Sequence, residues 1–97
     1  MIDIRVLADI KQGYNKRFIT AICNNDNDLV LKYLKNGASA TKEYMGDTPM
    51  FYAITHNNFG AILLLMKYGA ILEKDDLEEC GKNFSKEALE FLASLLK

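Results

Sequence analysis

The chain contains no tryptophan, one proline, one histidine and two cysteines among 97 residues, and each scarcity removes a class of protein. Cys23 and Cys80 stand 57 residues apart without a Cys-x-x-Cys spacing, which argues against a disulfide scaffold or zinc knuckle and leaves two free thiols as the expectation. Because His56 is the sole histidine, no His-Glu-x-x-His site can form, and any Ser-His-Asp or Cys-His arrangement must pass through that one ring. A net charge of −1 and a pI near 5.8 withhold the basic surface that nucleic acid or an anionic membrane selects. No apolar run approaches the roughly 18 residues of a membrane span. The opening Met1-Ile2-Asp3-Ile4-Arg5 places an acid inside its apolar stretch and lacks a basic leader, so a secretory signal is not expected and a cytoplasmic setting is.

Apolar residues at 49% and charged residues at 26% describe a globular chain. Its length suits one small domain that hides only about 60–65% of its unfolded surface. Charge is unevenly spread. Lys11, Lys16 and Arg17 gather near the start, whereas Glu73, Asp75, Asp76, Glu78 and Glu79 form an acidic run that reads as a solvated loop and helix start, with a lure for a basic partner as the alternative. Lysine outnumbers arginine ten to two and asparagine and isoleucine are plentiful, a bias associated with AT-rich genomes such as those of a virus, a phage or a reduced bacterium.

The organising feature is internal repetition. Lys16–Thr41 aligns with Thr48–Glu73 at an offset of 32 residues, with identities at Ala21/Ala53, Ile22/Ile54, Asn25/Asn57, Leu31/Leu63, Lys35/Lys67, Gly37/Gly69 and Ala38/Ala70. In the second unit Thr48 is a suitable N-cap and Pro49 a suitable first helical residue. Met50, Ala53 and Ile54 share a face, and this helix is expected to end by His56. Phe59, Ile62, Leu65 and Met66 then line a second helix that stops at Gly69. The first unit repeats this with Phe18, Ala21 and Ile22, then Val30, Leu31 and Leu34, with Asn15 and Asp26 or Asp28 as candidate caps. Residues 75–97 are looser: Asp75 or Asp76 caps a helix with Leu77 and Cys80 inward, and Ser85 caps another carrying Ala88, Leu89, Leu92, Leu95 and Leu96. Ile2, Val6, Leu7 and Ile10 suit a helix capped by Asp3 and ended by Gly13, although Ile2, Ile4 and Val6 also alternate as a strand would. That helix is expected to cover Phe18–Ile22.

The period and the Thr48-Pro49 opening resemble the ankyrin-repeat family, well over residues 14–73 and weakly over 75–97. The resemblance implies an all-α solenoid of stacked helix-turn-helix units: an N-terminal cap over 1–13, repeats over 14–46 and 47–74, and a truncated C-terminal capping repeat over 75–97. It also implies a left-handed residue at Asn57 and an extended finger at Ser39–Asp47 turning at Gly46, with no second finger after Gly69. The family's binding surface is the finger and the exposed face of the first helix of each unit. Carried over by position, this surface comprises Lys42, Tyr44, Met45, Asp47, Tyr52, Thr55 and His56, with Thr20, Cys23 and Asn24 in the first unit. Tyr44, Met45 and Tyr52 stand out as anchors because large apolar side chains dominate interface energies; the competing expectation is that Tyr52 and Met45 pack internally. Tyr14 could extend the surface. Phe51 occupies the place of a family histidine that ties the turn to the motif threonine, so that tie is expected to be missing.

Catalysis has little support in the residues. Cys23 pairs with Thr55 and Asn24 with His56 across the offset, giving Cys23 and His56 only a diagonal approach across helices about 8–10 Å apart. Gly37-Ala38 and Gly69-Ala70 end helices instead of opening them, so no phosphate loop is present. Asn83-Phe84-Ser85 spells a glycosylation sequon that needs a secretory route. The expectation is a non-enzymatic module, without cofactor or metal, that binds and inhibits a larger protein by occlusion, as an immunity, anti-defence or effector-type inhibitor does. A monomer is expected; the alternative is a structural adaptor working as a homo-oligomer through Leu95, Leu96 and the N-terminal isoleucines.

Overall fold

The computed structural model describes residues 4–12, 15–82 and 84–95. Expectations on Ile2, Asp3, Gly13, Tyr14, Asn83 and Leu96 lie outside the described residues. The described chain is all-helical: α1 (Ile4–Gln12), α2 (Lys16–Cys23), α3 (Asn27–Lys35), α4 (Pro49–Thr55), α5 (Phe59–Lys67), α6 (Lys74–Cys80) and α7 (Lys86–Leu95). Extended pairing among the described residues is limited to one bridge between Tyr44 and Asp47.

The helices form two rows. α2 packs on α3 and α4 on α5 as pairs, while α2, α4 and α6 touch in succession along one row and α1, α3 and α5 along the other. Phe18, Ile22, Ile54, Ile62, Leu65 and Leu72 are buried in the core. α7 packs on α6, and its Phe91 ring sits 6.2 Å from Phe59 of α5.

Local chemistry explains where each helix begins and ends. Thr48, Asp26 and Asn58 accept the N–H of Phe51, Leu29 and Ala61 respectively, satisfying donors that a helix leaves open at its start. Asn25 and Asn57 take φ of 58° and 57° between paired helices, the left-handed geometry that asparagine tolerates. Gly37 and Gly69, at φ of 102° and 105°, follow the second helix of each unit.

Several expectations need correction. Asn15 precedes α2, but its side chain makes no capping bond, because its backbone is already in the helical region at φ −95°, ψ −5°. α6 begins at Lys74, and Asp76 caps it from inside by accepting the Glu73 N–H at 2.8 Å. α1 packs on α3 and not chiefly over Phe18–Ile22. A polar link explains this: the Tyr33 hydroxyl of α3 donates to the buried Asp9 carboxylate of α1, which also pairs with Arg17 at 3.4 Å. Phe59, Met66, Leu31 and Leu77 are only half-buried although they were expected to face inward, and Leu95 is exposed.

The joint between the two units is a buried amide. Asn58 is only 1% exposed, yet every polar atom of its side chain is used. Its Nδ2 donates to the Ile22 carbonyl at 2.9 Å and to Asn27 Oδ1 at 2.8 Å, while its Oδ1 accepts from Asn27 Nδ2 at 2.9 Å and the Ala61 N–H at 3.0 Å. Gly60 makes room for it, since a Cβ there would lie 2.5 Å from Asn27 Nδ2. Glycine to alanine inside a helix ordinarily stabilises by about 0.5–1 kcal/mol. Here Gly60→Ala is expected to destabilise by about 1 kcal/mol, because displacing Asn27 breaks its paired hydrogen bonds. In an Asn27→Ala background the same change should stabilise. Urea unfolding of the four proteins of this cycle checks the reversal of sign.

Candidate partner-binding face

Between α3 and α4 the chain makes a tight finger-like turn over Tyr44–Asp47, and the extended pairing expected over Ser39–Asp47 is limited to that one bridge. Tyr44 and Asp47 exchange hydrogen bonds, N–H of Tyr44 to Asp47 O at 2.8 Å and N–H of Asp47 to Tyr44 O at 3.2 Å. Met45 and Gly46 fill the loop at φ of 54° and 88°. Two successive positive φ values define the tight turn that joins right-twisted strands, and its first loop position favours asparagine, aspartate or glycine. Methionine is therefore strained there by about 1–2 kcal/mol, and its side chain stays 81% exposed.

α4 carries the rest of the face. Tyr52 lies half-buried under the finger and donates its hydroxyl to the Tyr44 carbonyl at 2.8 Å. Its ring sits 6.4 Å from those of Tyr44 and Phe51, the latter edge-on. Burial raises the Tyr52 pKa, with the charges of Asp47 and Cys23 adding to the effect. Of the two internal-packing expectations, Tyr52 thus packs and bonds within the fold, whereas Met45 does not.

The structure brings Tyr44, Asp47, Tyr52 and Cys23 together and sets Met45 at the tip. Thr55 and His56 follow one turn along α4, where Thr55 donates to the Phe51 carbonyl at 3.0 Å and His56 Nδ1 lies 3.0 Å from the Tyr52 carbonyl. Thr20 is exposed on α2 and Asn24 at its C-cap, with the Thr20 hydroxyl donating to Lys16 O at 2.7 Å. Lys42 stands apart, lining a small cleft with Ile10 and Asn15 at the root of the finger. Phe51, 42% exposed beside Tyr52, belongs to this face although the position-by-position reading left it out. The 3.6-residue period that turns Met50, Ala53 and Ile54 inward also turns Phe51 outward, so the signal was present.

The Cys23 thiol is pushed up by burial, which disfavours the thiolate a nucleophile needs. The described hydrogen bonds of His56 Nδ1 run to the Tyr52 carbonyl and the Thr55 hydroxyl. Among the described residues no group of three His, Cys, Asp or Glu side chains could hold a metal.

Two substitutions separate strain from support. Met45→Gly should stabilise by about 1 kcal/mol by relieving the left-handed strain, whereas Tyr52→Phe should cost about 1 kcal/mol through loss of the bond to Tyr44; chemical denaturation reads both. Titration gives a further expectation. Cys23, Cys80 and Tyr52 all have pKa values raised from ordinary values of 9.0, 9.0 and 10.0, chiefly by burial, so the folded state holds these protons more tightly than the unfolded chain. Their contribution is complete below the unfolded values and is lost as pH rises through the folded ones. The denaturation midpoint should therefore fall above about pH 9, and less steeply in Cys80→Ala. Comparison with protein-family models, curated proteins and solved structures finds no match for this chain.

Proposed function

We propose that the chain is an ankyrin-repeat binding module without enzymatic activity, which covers a functional surface of a larger protein with its finger and the exposed face of α4. The observation that carries this reading is Met45. A methionine held left-handed at a turn that prefers glycine, with its side chain 81% exposed, is a strained feature of the kind that concentrates at functional sites. Beside it Phe51 is also exposed, and the Tyr52 hydroxyl fixes the finger to α4. An apolar tip on a tethered support loses little freedom on binding, which favours affinity from a small area. Inhibition by occlusion is the mode this reading takes: two helical pairs and their flanking helices cover what they touch. Immunity proteins, anti-defence factors and effectors work in this way.

The second reading, a homo-oligomeric adaptor, draws on Ile4, Phe91 and Leu95, which are exposed apolar residues on the first and last helices. It requires mass to rise with concentration, and sedimentation of the chain alone separates the two.

The deciding experiment is affinity capture from lysate with the wild-type chain beside Met45→Asp/Phe51→Asp, followed by mass spectrometry. Both positions are exposed and neither side chain bonds the finger to α4, so melting should remain within a few degrees of wild type. A protein retained by the wild type and lost by the variant is the expected result. Equal retention by both would overturn the fingertip as the binding surface.

A further inference from the structure

The chain holds four methionines, Met1, Met45, Met50 and Met66, of which Met1 lies outside the described residues. The other three share one side-chain chemistry and sit in three environments. Met50 is 4% exposed on the core face of α4, so solvent is shut off from its sulfur. Met66 is half-buried on α5. Met45 is 81% exposed, and among the described residues it belongs neither to the core nor to the side chains packed against it. The backbone enforces that exposure. Hydrogen bonds between Tyr44 and Asp47 close the turn on both sides, the Tyr52 hydroxyl ties it to α4, and Met45 stands at its tip in the left-handed region. Cysteine thiolates are the usual competitors for an oxidant. Here Cys80 is fully buried and Cys23 half-buried, and burial pushes both thiols up, which keeps them protonated at neutral pH.

We propose that Met45 is a redox-modification site, at which a peroxide transfers one oxygen to the thioether and turns the apolar fingertip polar while the fold stays intact. Sulfur gives up two electrons as the S–O bond forms and the peroxide O–O bond breaks, and hydrogen peroxide leaves as water. The product, methionine sulfoxide, is polar and chiral and returns to methionine by enzymatic reduction. Because the Met45 side chain contributes little packing, its oxidation changes the surface and spares the stability. A sulfoxide at Met50 would do the reverse, placing a polar group in the core. The modification itself stands without the fingertip reading. Its effect on a partner rests on that reading, since burying a sulfoxide oxygen in an apolar contact without a hydrogen-bond donor is unfavourable.

The test treats the folded full chain with dilute hydrogen peroxide at neutral pH, restores the thiols with dithiothreitol and follows each methionine by peptide mass spectrometry. Met45 sulfoxide should form at least about tenfold faster than the sulfoxide at Met50 or Met66. The two methionine sulfoxide reductases, one for each epimer, should reverse it in the folded chain. The chain oxidised at Met45 should elute earlier from a native hydrophobic-interaction column and melt within a few degrees of the untreated chain. Met45→Leu, which keeps an apolar tip without sulfur, should show no elution shift when treated alike. Equal oxidation rates at Met45 and at Met50 or Met66, unchanged elution after Met45 is oxidised, a shift that persists in Met45→Leu, or unfolding on oxidation of Met45 would each overturn the proposal. In capture from lysate, a protein held by the untreated chain should bind the oxidised chain about tenfold more weakly and stay on peroxide-treated Met45→Leu. Undiminished retention by the oxidised chain would overturn the switch, whereas equal retention by Met45→Asp/Phe51→Asp strikes the fingertip reading and leaves the oxidation site standing.

Discussion

A short helical pair has two apolar sides and can close only one by itself, so the rest of this molecule depends on how each pair seats on the next. The Asn58 side chain governs that seating between the two central units. It caps α5, grips Asn27 through two reciprocal hydrogen bonds, and reaches the last carbonyls of α2 through Ile22. A buried amide left half-satisfied would cost about 1–3 kcal/mol. Only one register satisfies it fully, so the same group that contributes stability also selects a unique arrangement. Gly60 is part of this device, since the space its missing Cβ leaves is occupied by Asn27.

With the pairs in register, the finger acquires a fixed base. Tyr52 would otherwise be an aromatic on the exposed side of α4; its hydroxyl bond to the Tyr44 carbonyl makes it a tether between helix and turn. Strain at Met45 and support at Tyr52 are thus two parts of one arrangement. The turn holds methionine in a conformation it disfavours, and the tethered scaffold keeps the side chain pointed into solvent.

The ends of the rows are finished by different means. At the start, α1 is fastened by buried Val6 and by Asp9, which accepts from Tyr33 and pairs with Arg17. At the other end, α6 exposes Asp75 and Glu78, while aromatic contacts of Phe59 with Phe84 and Phe91 hold α7. The two ends of the helical rows thereby carry unlike surfaces.

By itself the sequence determined the all-helical class and the Thr48-Pro49 start of α4, because both follow from local rules of capping and periodicity, whereas the left-handed Asn57 and the turn at Gly46 were implied by the ankyrin resemblance. Most of the candidate face was legible for the same reason, Phe51 included once the helical period is followed around α4. What tertiary structure alone decided is which polar atoms meet across distant positions. Asn27 and Asn58 lie 31 residues apart, Asp9 and Tyr33 24, and Tyr52 meets the Tyr44 backbone instead of a partner. Hydrogen bonds at such separations have no periodicity to announce them; they exist only after stacking has brought the helices together.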